Sequence, residues 1–366
     1  MKKKILFIIL MIFLNSLLLS QYVGIACSYN DRNAQVFNMD SLGNIVLKEI
    51  INLNNTPIEM ETTISGLILI VSYGYSPPTA MTLSVLKIEQ DGSVKYVRDI
   101  DLGGGGLDVC ITRDNKYVLI RHYYDQPNQE YDYGISVLRL IQNDVLMPPI
   151  QFLSMADLGI VSTNIDVNQD GVVLGVTRTP LEIFDISNEG YLSYTNNNIE
   201  LDSFPTHEME FSPDGRRCYL SRLGYDLWVF DVDESKNVSL WGYIETPEVN
   251  ARDLAITPDS KLILETMNSG TVNIYKNKED GTVIYKDKIS YPSGTGAMTM
   301  TLDGKYSVVA YGYTITKTNL SVLKINPDET IIRLPDKDVT VAPGIECMAI
   351  YQLPPTLVET NWQMYK

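Results

Sequence analysis

Few residues of this chain have types and spacing suited to chemistry. His122 and His207 stand far apart, and no His-x-x-His or Cys-x-x-Cys pair occurs, so zinc-site spacing is absent. No Gly-x-Ser-x-Gly elbow is present, which argues against an α/β-hydrolase serine mechanism. Gly103-Gly104-Gly105-Gly106 is followed by neither Lys-Ser nor a helical pattern and reads as a loop, not a phosphate cradle. What remains is a set of polar residues that precede or begin short alternating apolar runs: Asp108, Asn164, His207, Glu208, Arg252, Asp253 and Glu346. Gathered at one place, their carboxylates would make a negative funnel for a cationic group or a divalent cation. They would also push one another's pKa upward, as a general acid requires. Polar residues at strand starts equally serve to satisfy free backbone N–H groups, so the structural reading stands beside the functional one.

Whether they gather depends on the elements that carry them. Met209-Glu210-Phe211-Ser212-Pro213-Asp214-Gly215 is followed by Cys218-Tyr219-Leu220 and then by Leu227-Trp228-Val229-Phe230-Asp231-Val232. The pattern recurs around Thr257-Pro258-Asp259, Asn168-Gln169-Asp170-Gly171, Thr112-Arg113-Asp114-Asn115 and Thr301-Leu302-Asp303-Gly304. The turn aspartates thus fall at 114, 170, 214, 259 and 303. Runs of period two between Asp-Gly and Asn-rich turns predict strands, and the chain beyond residue 20 shows no convincing 3.6-residue period. An all-strand repeat of about 40–50 residues predicts an all-β, seven-bladed β-propeller. The wide spacing between 114 and 170 is where a six- or eight-blade count would enter.

The ends predict how the ring closes. Gly344-Ile345-Glu346-Cys347-Met348-Ala349-Ile350 matches the first strand of a blade, after which the chain runs out at Leu353-Pro354-Pro355. Residues 22–27, 34–39 and 44–53 supply the three missing strands, giving a one-plus-three closing blade and no bare sheet edge. Cys27 and Cys347 then lie on adjacent strands and can pair, whereas Cys110 and Cys218 sit in different blades.

The Ser-Pro-Asp-Gly turn, the Val-Phe-Asp-Val strand and the one-plus-three closure resemble the lactonase-like propellers, which include bacterial 6-phosphogluconolactonase and related surface repeat proteins. The resemblance spans residues 22–353 and implies a ring-ester hydrolase with its site at the channel. The family places Gly-Pro-Arg-His just before the Phe-x-Pro-Asp-Gly strand. The stretch here is Phe204-Pro205-Thr206-His207-Glu208-Met209-Glu210-Phe211, which sets His207 and Glu208 where the family has Arg and His. Arg252 and Asp253 hold those places one repeat later. The lactonase motif is therefore altered.

Lys2-Lys3-Lys4 followed by an apolar run over 5–19 has the form of a secretory signal. The expected organisation is a signal peptide over 1–20, a propeller over 21–355 and a tail over 356–366, with an extracytoplasmic location: periplasmic, secreted or at the cell surface. Membrane attachment would come only through an uncleaved signal anchor or lipidation at Cys27. The net charge of −16 becomes −19 without the three leader lysines, a surface that repels nucleic acid and anionic lipid. Acidity of this kind also simply keeps an exported protein soluble. The expected function is binding of a protein or small-molecule ligand at the channel mouth through Asp108, Asn164, Glu208, Asp253 and Glu346. The alternative is lactone hydrolysis by His207, Glu208 and Arg252. No cofactor is expected apart from a divalent cation that the acidic ring would suit.

Overall fold

The computed structural model describes residues 22–73, 83–125, 131–141, 144–155, 164–176, 180–201, 206–224, 226–312 and 317–354, and every helix or strand assigned among them is a β-strand. The expected signal peptide and C-terminal tail lie outside these residues. None of the described residues forms a helix long and apolar enough to cross a membrane.

The strands form seven antiparallel four-stranded sheets. Numbered by their inner strands, blades 1 to 6 begin at Thr56–Thr62, Gly106–Ile111, Asn164–Val167, Thr206–Phe211, Ala251–Ile256 and Thr295–Met300. Blade 7 begins at Ile345–Gln352 and continues with Tyr22–Ser28, Asn33–Met39 and Ile45–Asn52. Consecutive inner strands touch all the way round, and Ile345–Gln352 contacts the inner strands of both blade 6 and blade 1. The expected one-plus-three closure is thus present. The wide 114–170 spacing has a plain cause: blade 2 has unusually long strands, Tyr117–Asp125, Tyr131–Ile141 and Val145–Ser154.

The repeated turn is held by its own side chains. Thr112, Ser212, Thr257 and Thr301 each donate a hydroxyl hydrogen bond of 2.6–2.8 Å to the aspartate two residues on. Those aspartates accept in turn from the backbone N–H of Lys116, Arg216, Lys261 and Lys305. The residue after each aspartate has positive φ, from 53° at Asn115 to 66° at Gly215 and Gly304, which explains the Gly or Asn at three of the four turns; Ser260 adopts it at 58° in the other.

Each of the seven apolar clusters spans two neighbouring blades. Leu174 and Phe211 belong to the one between blades 3 and 4, Ile25 and Ile70 to the one between blades 7 and 1. A middle strand is therefore covered on both faces, as Tyr22–Ser28 and Leu262–Met267 are along their whole length. Cys27 is buried at the centre of this arrangement, paired on both sides. Processing just before it would strip residues 22–26 from the blade.

Gly24 marks the tightest point of the closing blade. A methyl group there would lie 2.0–2.7 Å from ring atoms of the fully buried Phe37 on the next strand. Gly24→Ala should lower the unfolding free energy by about 1–3 kcal/mol through overpacking, read as a drop in the urea midpoint at unchanged slope. An unchanged midpoint would show that the closing blade has slack that the structure lacks.

Candidate functional site

Inner strands start at one face of the ring and run along its axis, so successive side chains mark levels in the channel. The upper level holds Glu59, Asp108, Asn164, Glu208 and Asp253. The next inward step on the same strands holds Glu61, Asp166 and Glu210. Two residues of extended chain separate the levels, roughly 6–7 Å. Backbone bulges just before Glu59, Asp108, Glu208 and Asp253 set these residues against their neighbouring strands.

The channel opens into two chambers. The mouth chamber, about 200 Å³, is lined by Asn164, His207, Glu208, Arg252, Asp253 and Glu346, so six of the seven residues expected at the mouth meet there. The inner chamber, about 340 Å³, receives Asp108, Asp166, Glu61 and Glu210. Glu59, Glu208 and Asp253 border both and form the neck between them. Asp108 lies on the inner side of that neck instead of at the mouth.

Several of these groups turn out to be ties between blades. Asp108 accepts from the N–H of Val109 at 2.7 Å and of Ile165, in the next blade, at 2.6 Å. Asp253 spans Leu254 and Met298 in the same way, at 2.7 and 2.5 Å. Asp166 spans Val167 and Phe211, both at 2.7 Å. Asn164 donates its amide to the carbonyl of His207 at 2.8 Å. Structural and functional readings therefore divide the set. Glu208 uses one oxygen on the N–H of Met209, while Arg252 Nη1 stands 3.5 Å from His207 Nε2.

The electrostatics follow from enclosure. Burial pushes Asp108 and Asp253 up to about 7, against the backbone hydrogen bonds that lower them. Glu208 is raised well above its ordinary value, first by burial and then by the charges of Glu59, Asp108 and Asp253. Glu59 is raised for the same reasons. On the inner level Glu61 reaches about 7 and Asp166 about 6, and Glu210 is also raised, burial being the largest cause in each. Glu61 faces the lumen, so its carboxylate is wet although the ring encloses it. His207 moves the other way, to about 4, through burial and the nearby Arg252 charge, and its imidazole is neutral at pH 7. The negative funnel expected at the mouth is an enclosed neck, because the narrow ring leaves little water around its carboxylates. Among the described residues, no three His, Cys, Asp or Glu side chains are arranged to hold a metal ion.

Glu59, Glu61, Asp166 and Glu210 are the members that sequence reasoning passed over. The clue was legible: Glu59-Met60-Glu61 repeats Glu208-Met209-Glu210. It was masked because blade 1 lacks the turn aspartate that aligns blades 2 to 6.

All seven carboxyls bind their protons more tightly folded than unfolded. The stability they contribute is complete below their unfolded values near pH 4 and is lost as pH rises through their folded values, about 6 for Asp166 and about 7 for Glu61, Asp108 and Asp253. His207 has the opposite sign, losing stability as pH falls from about 6.5 towards 4, but it is one group against seven. Glu210 Oε2 is buried without a hydrogen-bond partner, which makes it the clearest probe. Glu210→Gln should raise Tm by about 2–4 °C at pH 8 and by less than about 1 °C at pH 4.5, measured by calorimetry. An equal shift at both pH values would show that Glu210 is not protonation-linked.

No family model matches the chain. No curated protein matches it either. Solved structures do match. A periplasmic gluconolactonase of Pseudomonas aeruginosa superposes with a TM-score of 0.72 at 13% identity, covering 91% of this chain and 99% of that one. A putative 6-phosphogluconolactonase of Bacteroides fragilis gives 0.72 at 15% identity, with 91% and 98% covered. A functionally unknown protein of Desulfotomaculum acetoxidans gives 0.70 at 16%, with 91% and 99% covered. In fold, this chain is a seven-bladed β-propeller similar to the lactonase-like propellers.

Proposed function

We propose that the mouth chamber binds a small uncharged sugar-lactone ring and opens it by hydrolysis. The observation that carries this reading is the meeting of His207, Glu208 and Arg252 in one chamber that also borders the acidic neck. The fold-level likeness to a gluconolactonase supports it. In this scheme water attacks the lactone carbonyl carbon while Glu208, as carboxylate, takes its proton. Arg252 stabilises the developing oxyanion, and neutral His207 orients the Arg252 guanidinium. The proton then passes from Glu208 to the departing ring oxygen, leaving a hydroxy acid. Arg252 is the only Lys or Arg in the lining among the described residues, against Glu59, Glu208, Asp253 and Glu346. That balance disfavours a phosphorylated substrate and helps expel the anionic product.

Lactone hydrolysis above the spontaneous rate should rise with pH as the raised Glu208 carboxyl ionises. Glu208→Gln should cost about 10²–10⁴-fold in kcat and Arg252→Met about 10²–10³-fold, with the fold intact by circular dichroism. A wild-type protein that never exceeds the spontaneous rate sinks the hydrolase reading.

A second reading is binding without turnover, with the mouth presented to a ligand or partner. It is favoured by the saturation of both Asp253 oxygens and by the contact between His207 and Arg252. A lactone that raises Tm without being consumed would select it.

The basic-then-apolar start of the chain supports export, and the periplasmic location in the name of one structural neighbour is in keeping with it. The secreted protein should begin just after residue 20, without Lys2-Lys3-Lys4, by N-terminal sequencing. Intact Met1 on a soluble cytoplasmic product would remove the compartment argument.

A further inference from the structure

Six blades have an inner strand that continues directly into its neighbour through its own turn. In blade 7 the inner strand Ile345–Gln352 and its neighbour Tyr22–Ser28 come from opposite ends of the chain. No covalent bond holds that joint in this structure: it rests on the strand ladder, on Tyr29 N–H to Gly344 O at 2.8 Å and Ser28 Oγ to Pro343 O at 2.6 Å, and on two apolar clusters that both strands share. Within the ladder, Cys27 stands directly opposite Cys347. Both belong to the apolar cluster facing blade 1, so their side chains share one face of the sheet. They are 0% and 2% exposed, and the Cys27 thiol is among the groups that raise the thiol of Cys347. Both are reduced here. Directly opposed residues of an antiparallel pair have Cβ atoms about 4.5–5.5 Å apart, against about 3.5–4.5 Å in a disulfide, so little movement is required. Cys110 and Cys218 lie in separate clusters, between blades 2 and 3 and between blades 3 and 4.

We propose that Cys27 and Cys347 form a disulfide that closes the ring covalently, installed as blade 7 assembles by exchange with a disulfide-bearing oxidant. One cysteine thiolate attacks a sulfur of the oxidant disulfide, forming a mixed disulfide and releasing one oxidant thiol. The second thiolate displaces the remaining oxidant thiol. Two cysteine thiols thus lose two protons and two electrons, and one oxidant disulfide becomes two thiols. Burial raises the Cys347 thiol well above its ordinary value, so the exchange belongs to the open chain and not to the closed ring. The inference does not rest on the lactonase reading, since neither sulfur lines the channel chambers.

The test is refolding of the purified mature chain with excess oxidised glutathione, followed by alkylation in denaturant and peptide mapping. Two alkylated thiols, at Cys110 and Cys218, and a peptide linking 27 to 347 are expected. Native protein should keep the bridge in dithiothreitol that reduces it once the chain is unfolded. Tm of the oxidised protein should exceed that of the reduced protein by about 5–10 °C, a difference absent from the Cys27→Ser/Cys347→Ser double variant. Four alkylatable thiols in natively folded, oxidant-treated protein would overturn the proposal. So would a bridge to Cys110 or Cys218.

Discussion

A blade of this ring has no core of its own. Its apolar side chains are hidden only because another blade stands on each side, as the seven two-blade clusters show. The arrangement has no natural end: six stacked sheets would leave two broad apolar faces in water. Closure is therefore the condition on which everything else depends, and the chain meets it by splitting blade 7 between its two ends. Tyr22 illustrates the result. Its ring is fully buried in the cluster between blades 6 and 7, while its hydroxyl reaches the turn aspartate of blade 6.

Closure also brings seven inner strands against one another, and their backbone N–H groups facing the axis need acceptors. Carboxylates on the strands provide them. Asp108, Asp166 and Asp253 each take one N–H from their own strand and one from the next blade, so the polar channel stitches the ring that the apolar clusters hold. The cost is enclosure of like charges, visible in pKa values pushed up to about 6 or 7. The same enclosure supplies groups whose proton affinity suits work near neutral pH. Structural need and chemical opportunity thus have one origin. What distinguishes the members is occupancy: Asp253 has both oxygens engaged, whereas Glu208 uses one oxygen for its own strand beside Arg252 and His207.

The sequence by itself determined the repeat, and through it the fold. A hydroxyl residue two before an aspartate, a Gly, Asn or Ser in positive φ and alternating apolar residues are local signals, each fixed within a few neighbours. Repetition carries such signals over long distances, which is why the pairing of Cys27 with Cys347, 320 positions apart, was foreseeable from strand order. Blade 1 was the faintest part because its turns lack that chemistry, and with it went Glu59 and Glu61. Only the tertiary structure decided the depth of each polar residue. A bulge between Thr206 and Glu208, and another between Ala251 and Asp253, shift the register where the mouth narrows. Asp108 stands on the inner side of the neck and His207 on the outer, although sequence alignment gave them one ring. A bulge changes level by one residue, about the length that separates a wet rim from a buried neck. That displacement is settled by how neighbouring blades meet, and no pattern within a single blade records it.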